Sequence, residues 1–351
     1  MENSKGSDQQ RVKNIQIAVR AEETLLRAKY PLLNHQNAIG MSILLLSLGG
    51  VIASGLGYYY GFIPAWLCIV ISTLFASISH ELEHDLIHRL YFRKNPLAHN
   101  FMMATVWLMR PSVVNPWYRR TIHFNHHKVS GTKEDLEERV LGNGLKFGLL
   151  RTIISLDGFL SISLQRKELN KMKLFNYLSF VLQGLPLAHL YIISFYGFLA
   201  FHGYDTIAPI AGLSMAYPEW LLEIMSVVNI LAVVIILPNA LRAFCLHNIT
   251  AALHYYGDVD SLLKQCQVMN HWILAPINLF CFNFGSTHVI HHLVVSQPFY
   301  IRQMIAKPAH KVMKENGIRF NDFKSMLRAN RFNKQDIDQA NNEELPDIKA
   351  A

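Results

Sequence analysis

The amino-acid sequence predicts an all-α membrane protein with four transmembrane helices in two hairpins and a cytoplasmic helical cap. Of its 351 residues, 51% are hydrophobic and only 17% are charged. Four apolar stretches each reach the roughly 20 residues that a bilayer core about 30 Å thick requires. The connections within the two hairpins contain no lysine or arginine. The alternative class, a soluble enzyme with four long buried helices, agrees less well with this composition.

The four apolar stretches define the predicted spans, at residues 38–60, 62–79, 174–202 and 220–246. A short tyrosine-rich connection joins the first two spans into a hairpin. Charged side chains are rare inside the spans, and Glu223 and Arg242 fall near the two ends of the fourth. We therefore expect these two residues to reach the membrane interfaces. The spans belong to a predicted membrane domain at residues 38–300, flanked by cytoplasmic segments at 1–37 and 301–351.

The charge distribution predicts the orientation of these spans. Lysine and arginine are concentrated before the first span, between the second and third, and after the fourth. Positively charged segments remain cytoplasmic, so we expect both termini and the cap on that side. The net charge of +8 then lies largely on a face that meets anionic lipid and could dock an acidic electron carrier. Nucleic acid binding is not predicted.

The two ends of the chain and the cysteines give weaker indications. The N-terminus is polar and charged for over thirty residues, which is not typical of a cleavable signal peptide. Residues 333–351 are polar and are predicted to be disordered. Four cysteines occur without a CxxC pair, so we predict neither a disulfide framework nor a thiolate metal site.

Histidine is the most informative residue type, because eleven of the seventeen histidines occur in four places. Residues three and four apart on a helix share one face, so each cluster presents its imidazoles together. Neutral imidazole suits iron, zinc or copper. Two metals with four to five ligands each would use nearly all of these side chains. The first three clusters are His80, His84 and His88; His123, His126 and His127; and His288, His291 and His292; the fourth is the pair His247 and His254.

The order HxxxH, HxxHH, HxxHH around two hairpins resembles the membrane fatty acid desaturase and hydroxylase superfamily, over about residues 38–300. This resemblance implies a cytoplasmic non-haem di-iron centre above the four spans, with O2 as co-substrate. His254 would be the ninth ligand, because Thr250-Ala-Ala-Leu-His254-Tyr-Tyr-Gly257 is similar to a stretch that follows the last span in acyl desaturases. The implied metal ligands are His80, His84, His123, His126, His127, His254, His288, His291 and His292.

The first cluster is open to two interpretations. His84 and His88 also satisfy HxxxH, and His88-Arg89 is similar to the alkane-hydroxylase branch. Because His80 and His84 directly follow the span, we predict that these two are the ligands. His88 is then a further ligand or a neighbour of the metal site. Glu81, with Glu83 and Asp85, is predicted either to orient imidazole N–H groups or to be a solvated charge.

The fourth cluster has two open positions. His247 is a rival of His254 for the ninth ligand, or a neighbour of the site. Thr250 stands where acyl-CoA members of the resembling family can carry an asparagine that assists the iron through water. Its role here stays open.

The predicted function is O2-dependent oxidation of the alkyl chain of a fatty acid or other lipid, with desaturation as first choice. Hydroxylation of an alkyl or terpenoid chain and oxidative decarboxylation to a terminal alkene are the alternatives, and no residue separates the three. No haem-binding or iron–sulfur motif is visible. We therefore predict an external electron donor of ferredoxin, rubredoxin or cytochrome type with its reductase.

Two other classes of protein agree less well with the sequence. His80-Glu81-Leu82-Glu83-His84 satisfies the HExxH pattern of zinc proteases, but that function leaves most of the clustered histidines unexplained. A metal transporter predicts ionisable residues inside the spans. Spans one to three contain almost none apart from His189.

Overall fold

The computed structural model describes residues 6–213 and 216–333. Within them the chain is helical and contains no strand, only two isolated bridges, His254 with Cys266 and Val268 with Phe320. The all-α prediction is confirmed for this part of the chain. The α-helices in chain order are α1 (Asp8–Lys29), α2 (Gln36–Tyr59), α3 (Ala65–Ile87), α4 (Pro96–Met109), α5 (Pro116–Val129), α6 (Leu136–Val140), α7 (Leu149–Leu156), α8 (Gly158–Leu164), α9 (Arg166–Leu169), α10 (Tyr177–Leu182), α11 (Leu187–Ile207), α12 (Glu219–Leu231), α13 (Leu237–Leu253), α14 (Ala275–Phe280), α15 (Phe284–Leu293), α16 (Phe299–Met304) and α17 (Ala306–Glu315).

Shorter helical turns connect these elements. A π-helical turn at Ala232–Ile236 joins α12 to α13 without a break, and Pro238 at the start of α13 accounts for it, because proline cannot donate a backbone hydrogen bond. The 3-10 turns lie at Pro31–Asn34, Leu262–Lys264, Trp272–Leu274 and Phe323–Arg328.

Among the described residues, three helical segments are long and apolar enough to cross a membrane: α2, α3 and the continuous segment Glu219–Leu253. They correspond to the first, second and fourth predicted spans. A fourth candidate exists only if Trp272–Phe280 and Phe284–Leu293, which meet at a bend of 78°, count as one span. Together with this composition, the helices support an integral membrane protein. α3 is longer than predicted and continues through the first histidine cluster to Ile87.

The third predicted span is not one helix. Residues 174–202 are divided between α10, which ends at Leu182, and α11, which begins at Leu187. Gly184 and Pro186 account for the break, because neither favours a helix interior. The side-chain nitrogen of Asn115 donates to the Gln183 carbonyl over 3.0 Å and thereby fixes the break to the start of α5. α11 is not among the helices that meet the length and hydropathy requirements for a span, so the two-hairpin arrangement stays a prediction.

The first hairpin is tightly packed. α2 and α3 are joined by residues 60–64, where Gly61 adopts a positive φ of 76° that closes the turn. Gly50 of α2 faces the ring of Phe75, and a Cβ atom at residue 50 would overlap that ring. The glycine therefore sets how closely the two helices approach.

The N- and C-terminal segments both pack around the helix that carries the third histidine cluster. The Gln16 side chain of α1 donates to the Leu293 carbonyl over 2.9 Å. Arg11 donates to the carbonyl of Asn316, at the end of α17, over 2.7 Å. Val12, Ile15 and Val19 share one apolar cluster with α13, α15 and α17. The disorder predicted for 333–351 falls, from residue 334 onward, outside the described residues, and the predicted domain boundaries stay predictions.

Arg242, which the sequence places near a membrane interface, is enclosed within the protein. Its side chain is only 1% exposed. The reason is that α13 packs against α3 on one side and α7 on another, which encloses the face that carries residue 242.

Candidate metal centre

Four helix ends bring the histidine clusters together in two groups. The clusters lie in the C-terminal parts of α3, α5, α13 and α15, and these four segments converge at one place. In each group, one nitrogen from each of four imidazoles lies within 4.8 Å of the other three. The first group is His84, His88, His123 and His291, and the second is His126, His254, His288 and His292.

The imidazole nitrogens approach one another closely within each group. In the first, Nε2 of His123 lies 3.0 Å from Nε2 of His88. In the second, Nε2 of His292 lies 3.1 Å from that of His288 and 3.3 Å from those of His126 and His254. Ligands about 2.1 Å from one ion lie about 3.0 Å apart at right angles and about 3.4 Å apart in a tetrahedron. The observed separations fall in this range, so both groups fit a metal ion.

Unpaired nitrogen atoms support the same conclusion. Both ring nitrogens of His84 are buried and have no hydrogen-bond partner in the described structure. A buried polar atom normally has a partner, and an imidazole at the centre of such a group can meet this need by binding a metal.

His127 and His80 differ in their relation to the two groups. Nε2 of His127 lies 3.1 Å from Nε2 of His123 and 3.0 Å from Nε2 of His291, beside the first group. His80 lies outside both groups; its ring faces Phe284, with a centroid separation of 5.6 Å. The structure thus brings His88 into the first group, whereas the sequence favoured His80. His80 remains in the wall of the adjoining cavity.

The two histidines of the fourth cluster occupy different places in the structure. His254 belongs to the second group, whereas His247, two turns earlier on α13, lies in the cavity wall outside both groups. Nδ1 of His254 lies 3.0 Å from the Thr250 carbonyl oxygen. Thr250 therefore contacts the imidazole through its backbone, and its side chain is free to face the cavity that it lines.

Three carboxylates of one short segment face the imidazoles from behind. Nδ1 of His126 lies 2.8 Å from Asp135, Nδ1 of His123 lies 2.9 Å from Glu137, and Nδ1 of His254 lies 3.0 Å from Glu138. A carboxylate that accepts Nδ1–H leaves the Nε2 lone pair free for a metal. Asp135 also caps α6 by accepting the Glu138 backbone N–H over 3.3 Å. This hydrogen bond holds the backbone of Glu138 in place. The sequence feature that could have identified these three carboxylates is the acidic run 134–138 directly after the second cluster.

The acidic segment makes this part of the site favourable for positive charge. Burial alone lowers the pKa of His126, but Asp135 and the two neighbouring glutamates raise it to about 10. Burial alone raises the pKa of Glu137, but the adjacent His123 lowers it well below its usual value. In the first group, burial lowers the pKa of His88 to about 2, so this ring is neutral, which is the form that binds metal.

The acidic residues of the first cluster have other partners than predicted. Glu81 and Asp85 face Arg302 of α16, at 3.1 and 3.3 Å. Glu83 pairs with Arg110 and, over 3.2 Å, with Arg119. None of the three carboxylates accepts an imidazole N–H, because on α3 they point away from the histidine stripe. Glu81 contacts the histidine groups only indirectly. It pairs with Arg302, whose Nη1 lies 3.1 Å from Nδ1 of His291.

A cavity of about 350 Å³ adjoins both groups. His84 and His123 from the first group and His126, His254 and His288 from the second form one part of its wall. Side chains from α5 to α8, α10, α11 and α13 and from residues 110–114 form most of the rest, and many of them are apolar. The apolar lining includes Leu156, Phe159, Ile162, Phe180, Ile192, Phe195 and Leu246. A chain-like apolar molecule fits such a cavity, with one portion beside the imidazoles.

The family model described as fatty acid desaturase matches residues 60–324, well over half of the chain. The chain belongs to the fatty acid desaturase family. The match includes all four histidine clusters and the acidic segment. No curated protein matches the chain. Membership in the fatty acid desaturase family supports an oxidoreductase of the desaturase and hydroxylase type, which agrees with an imidazole-rich site beside an apolar cavity.

Proposed function

We propose that this fatty acid desaturase family member is an O2-dependent di-iron enzyme that desaturates the alkyl chain of a fatty acid. The observation that carries the proposal is the pair of four-histidine groups at one end of an apolar cavity. The substrate would lose two hydrogens to form a double bond. O2 would be reduced to two waters with two electrons from a donor and two protons.

In this proposal each group of imidazoles holds one iron. His84, His88, His123 and His291 would bind the first, with His127 beside them. An iron pair bound at these groups supplies the oxidation of unactivated C–H bonds by O2, which no acid–base side chain can perform.

The protein's own residues position the reaction. Asp135 and Glu137 accept the Nδ1–H groups of His126 and His123, and the Thr250 carbonyl accepts that of His254, which fixes the orientation of three imidazoles. The apolar wall of the cavity excludes water from the alkyl chain and holds it beside His126, His254 and His288. Regiochemistry then depends on how far the chain extends along the cavity.

Electrons would come from a separate carrier of ferredoxin, rubredoxin or cytochrome type with its reductase. The sequence feature that supports this is the excess of lysine and arginine in the segments outside the spans. We further propose that both termini and the metal centre face the cytoplasm, where an acidic carrier can dock.

The test is product identification by mass spectrometry. Iron-loaded protein is incubated with a reducing carrier, O2 and fatty acids of graded chain length. Desaturation predicts an alkene that retains the carboxyl group, and roughly two irons per chain in metal analysis. A product one carbon shorter would replace desaturation by decarboxylation, and an added oxygen would replace it by hydroxylation.

A matched pair of variants tests the di-iron assignment. His126→Ala removes a member of the second group and should abolish turnover, whereas His35→Ala replaces an exposed histidine outside the clusters and should not. Turnover that survives His126→Ala, or one tightly held zinc per chain, contradicts the proposal.

A further inference from the structure

Arg242 is a buried cation without a partner. Its side chain is 1% exposed, and its Nε and Nη2 atoms have no hydrogen-bond partner. Within residues 6–213 and 216–333, no carboxylate forms an ion pair with it. The same side chain lines the cavity that adjoins the second histidine group.

The surroundings of Arg242 add positive charge instead of balancing it. The ionisable groups that act on it most strongly are Arg119, Tyr191, Cys281 and Cys245, none of which is a carboxylate. Arg119 and Arg110 also line the cavity, and these two arginines share the single carboxylate of Glu83. The cavity wall therefore carries three guanidinium groups in a largely apolar lining, whereas its carboxylates, Glu137, Glu138 and Asp157, have partners other than Arg242.

An unpaired guanidinium inside a protein is strongly unfavourable unless a bound anion compensates it. The planar fork of arginine N–H donors matches a carboxylate, which it can bind through two parallel hydrogen bonds. The free Nε and Nη2 atoms of Arg242 are a pair of donors with this arrangement.

We propose that Arg242 binds the carboxylate of an unesterified fatty acid whose alkyl chain occupies the cavity. The nature of the chain rests on the proposed function, whereas recognition of the carboxylate rests on Arg242 alone. Thioesters and other esters lack this carboxylate, so they would be poor ligands. A carboxylate held here also fixes the chain relative to His126, His254 and His288, so the position of oxidation is counted from the carboxyl end.

Ligand-dependent thermal stability of the purified full-length protein tests the proposal without iron turnover. Dodecanoic acid should raise the melting temperature, whereas methyl dodecanoate and sodium acetate at the same concentration should raise it little. In Arg242→Gln, the affinity for dodecanoic acid should fall about tenfold to a hundredfold, the size of a lost charged hydrogen bond. Arg242→Lys should retain part of the affinity, and the exposed control Arg93→Gln should retain all of it.

The ligand-free variant provides an independent readout. Because Arg242→Gln removes an unpaired buried charge, its melting temperature without ligand should equal or exceed that of the unmodified protein. A residue that only supports the fold would give a lower value. A lower value, or equal binding of dodecanoic acid by Arg242→Gln, overturns the proposal.

The remaining outcomes separate this proposal from the proposed function. Stabilisation by acetate equal to that by dodecanoic acid, or equal binding of the methyl ester, overturns fatty acid recognition. Selective binding of dodecanoic acid by a protein that oxidises no alkyl chain supports the proposal and refutes the function. In active protein, an oxidation position that stays constant from the carboxyl end across chain lengths supports it, and a position constant from the methyl end overturns it.

Discussion

Asp135 provides the sharpest test of how the acidic segment supports the metal centre. Asp135→Asn preserves the size of the side chain and the oxygen that caps α6, but removes the charge that faces His126. The carboxylate is fully buried and 2.8 Å from Nδ1 of His126. A charged hydrogen bond of this kind contributes about 1.5–3 kcal/mol. At about 1.4 kcal/mol per factor of ten, losing this hydrogen bond should lower metal affinity by roughly tenfold to a hundredfold.

Loss of a carboxylate behind a metal-bound histidine typically weakens metal affinity by about ten- to a hundredfold, so the two magnitudes agree. Asp135→Ala should cost about 1 kcal/mol of stability in addition, because it also removes the helix cap. The assay is iron retention against a competing chelator, together with thermal unfolding. Glu134→Gln is the control, since Glu134 is the exposed neighbour of Asp135. Iron retention by Asp135→Asn within about twofold of the unmodified protein would refute the reasoning.

Three other predictions follow from the described contacts. His88→Ala should lose more bound iron in metal analysis than His80→Ala, and the reverse order would restore the assignment favoured by sequence. Burial alone raises the pKa of Asp322, but hydrogen bonds from Arg328 and its other partners lower it. The stabilisation is therefore complete above about pH 4 and is lost as pH falls through the lower folded-state pKa, so Asp322→Asn should flatten the acid side of a melting-temperature profile. Gly50→Ala should lower stability by about 1–3 kcal/mol through overlap with the facing ring, measured by thermal unfolding.

The spacing of the histidines predicted most of the site. HxxHH places three imidazoles on one helix face, and α5 and α15 have this arrangement. Spacing alone could not decide between His80 and His88, because both lie on the same stripe of α3. The structure places His88 with His84, His123 and His291, and this grouping depends on packing between segments distant in sequence.

Other features depend on tertiary contacts that leave no periodic signal. Gly184 and Pro186 are residue types that indicate a helix break. The high hydropathy of residues 174–202 nevertheless favoured one continuous span. Carboxylates were expected to act next to the first cluster, whereas the loop after α5 brings Asp135 to the imidazoles. Arg242 resembled an interfacial residue because it lies near the end of an apolar run, and only the packing of α13 encloses it.

The four-histidine groups also constrain how the protein is made. The first group combines His84 and His88 with His291, so it joins parts of the chain that are synthesised far apart in time. Neither group can close until the last cluster has emerged and α15 has packed, because both require residues from that helix. Iron would therefore enter only a nearly complete fold, and its binding energy would stabilise contacts between distant segments. Under the proposed function, metal loading would thereby become the final step of maturation, and a truncated chain would expose no complete site at which O2 could be reduced.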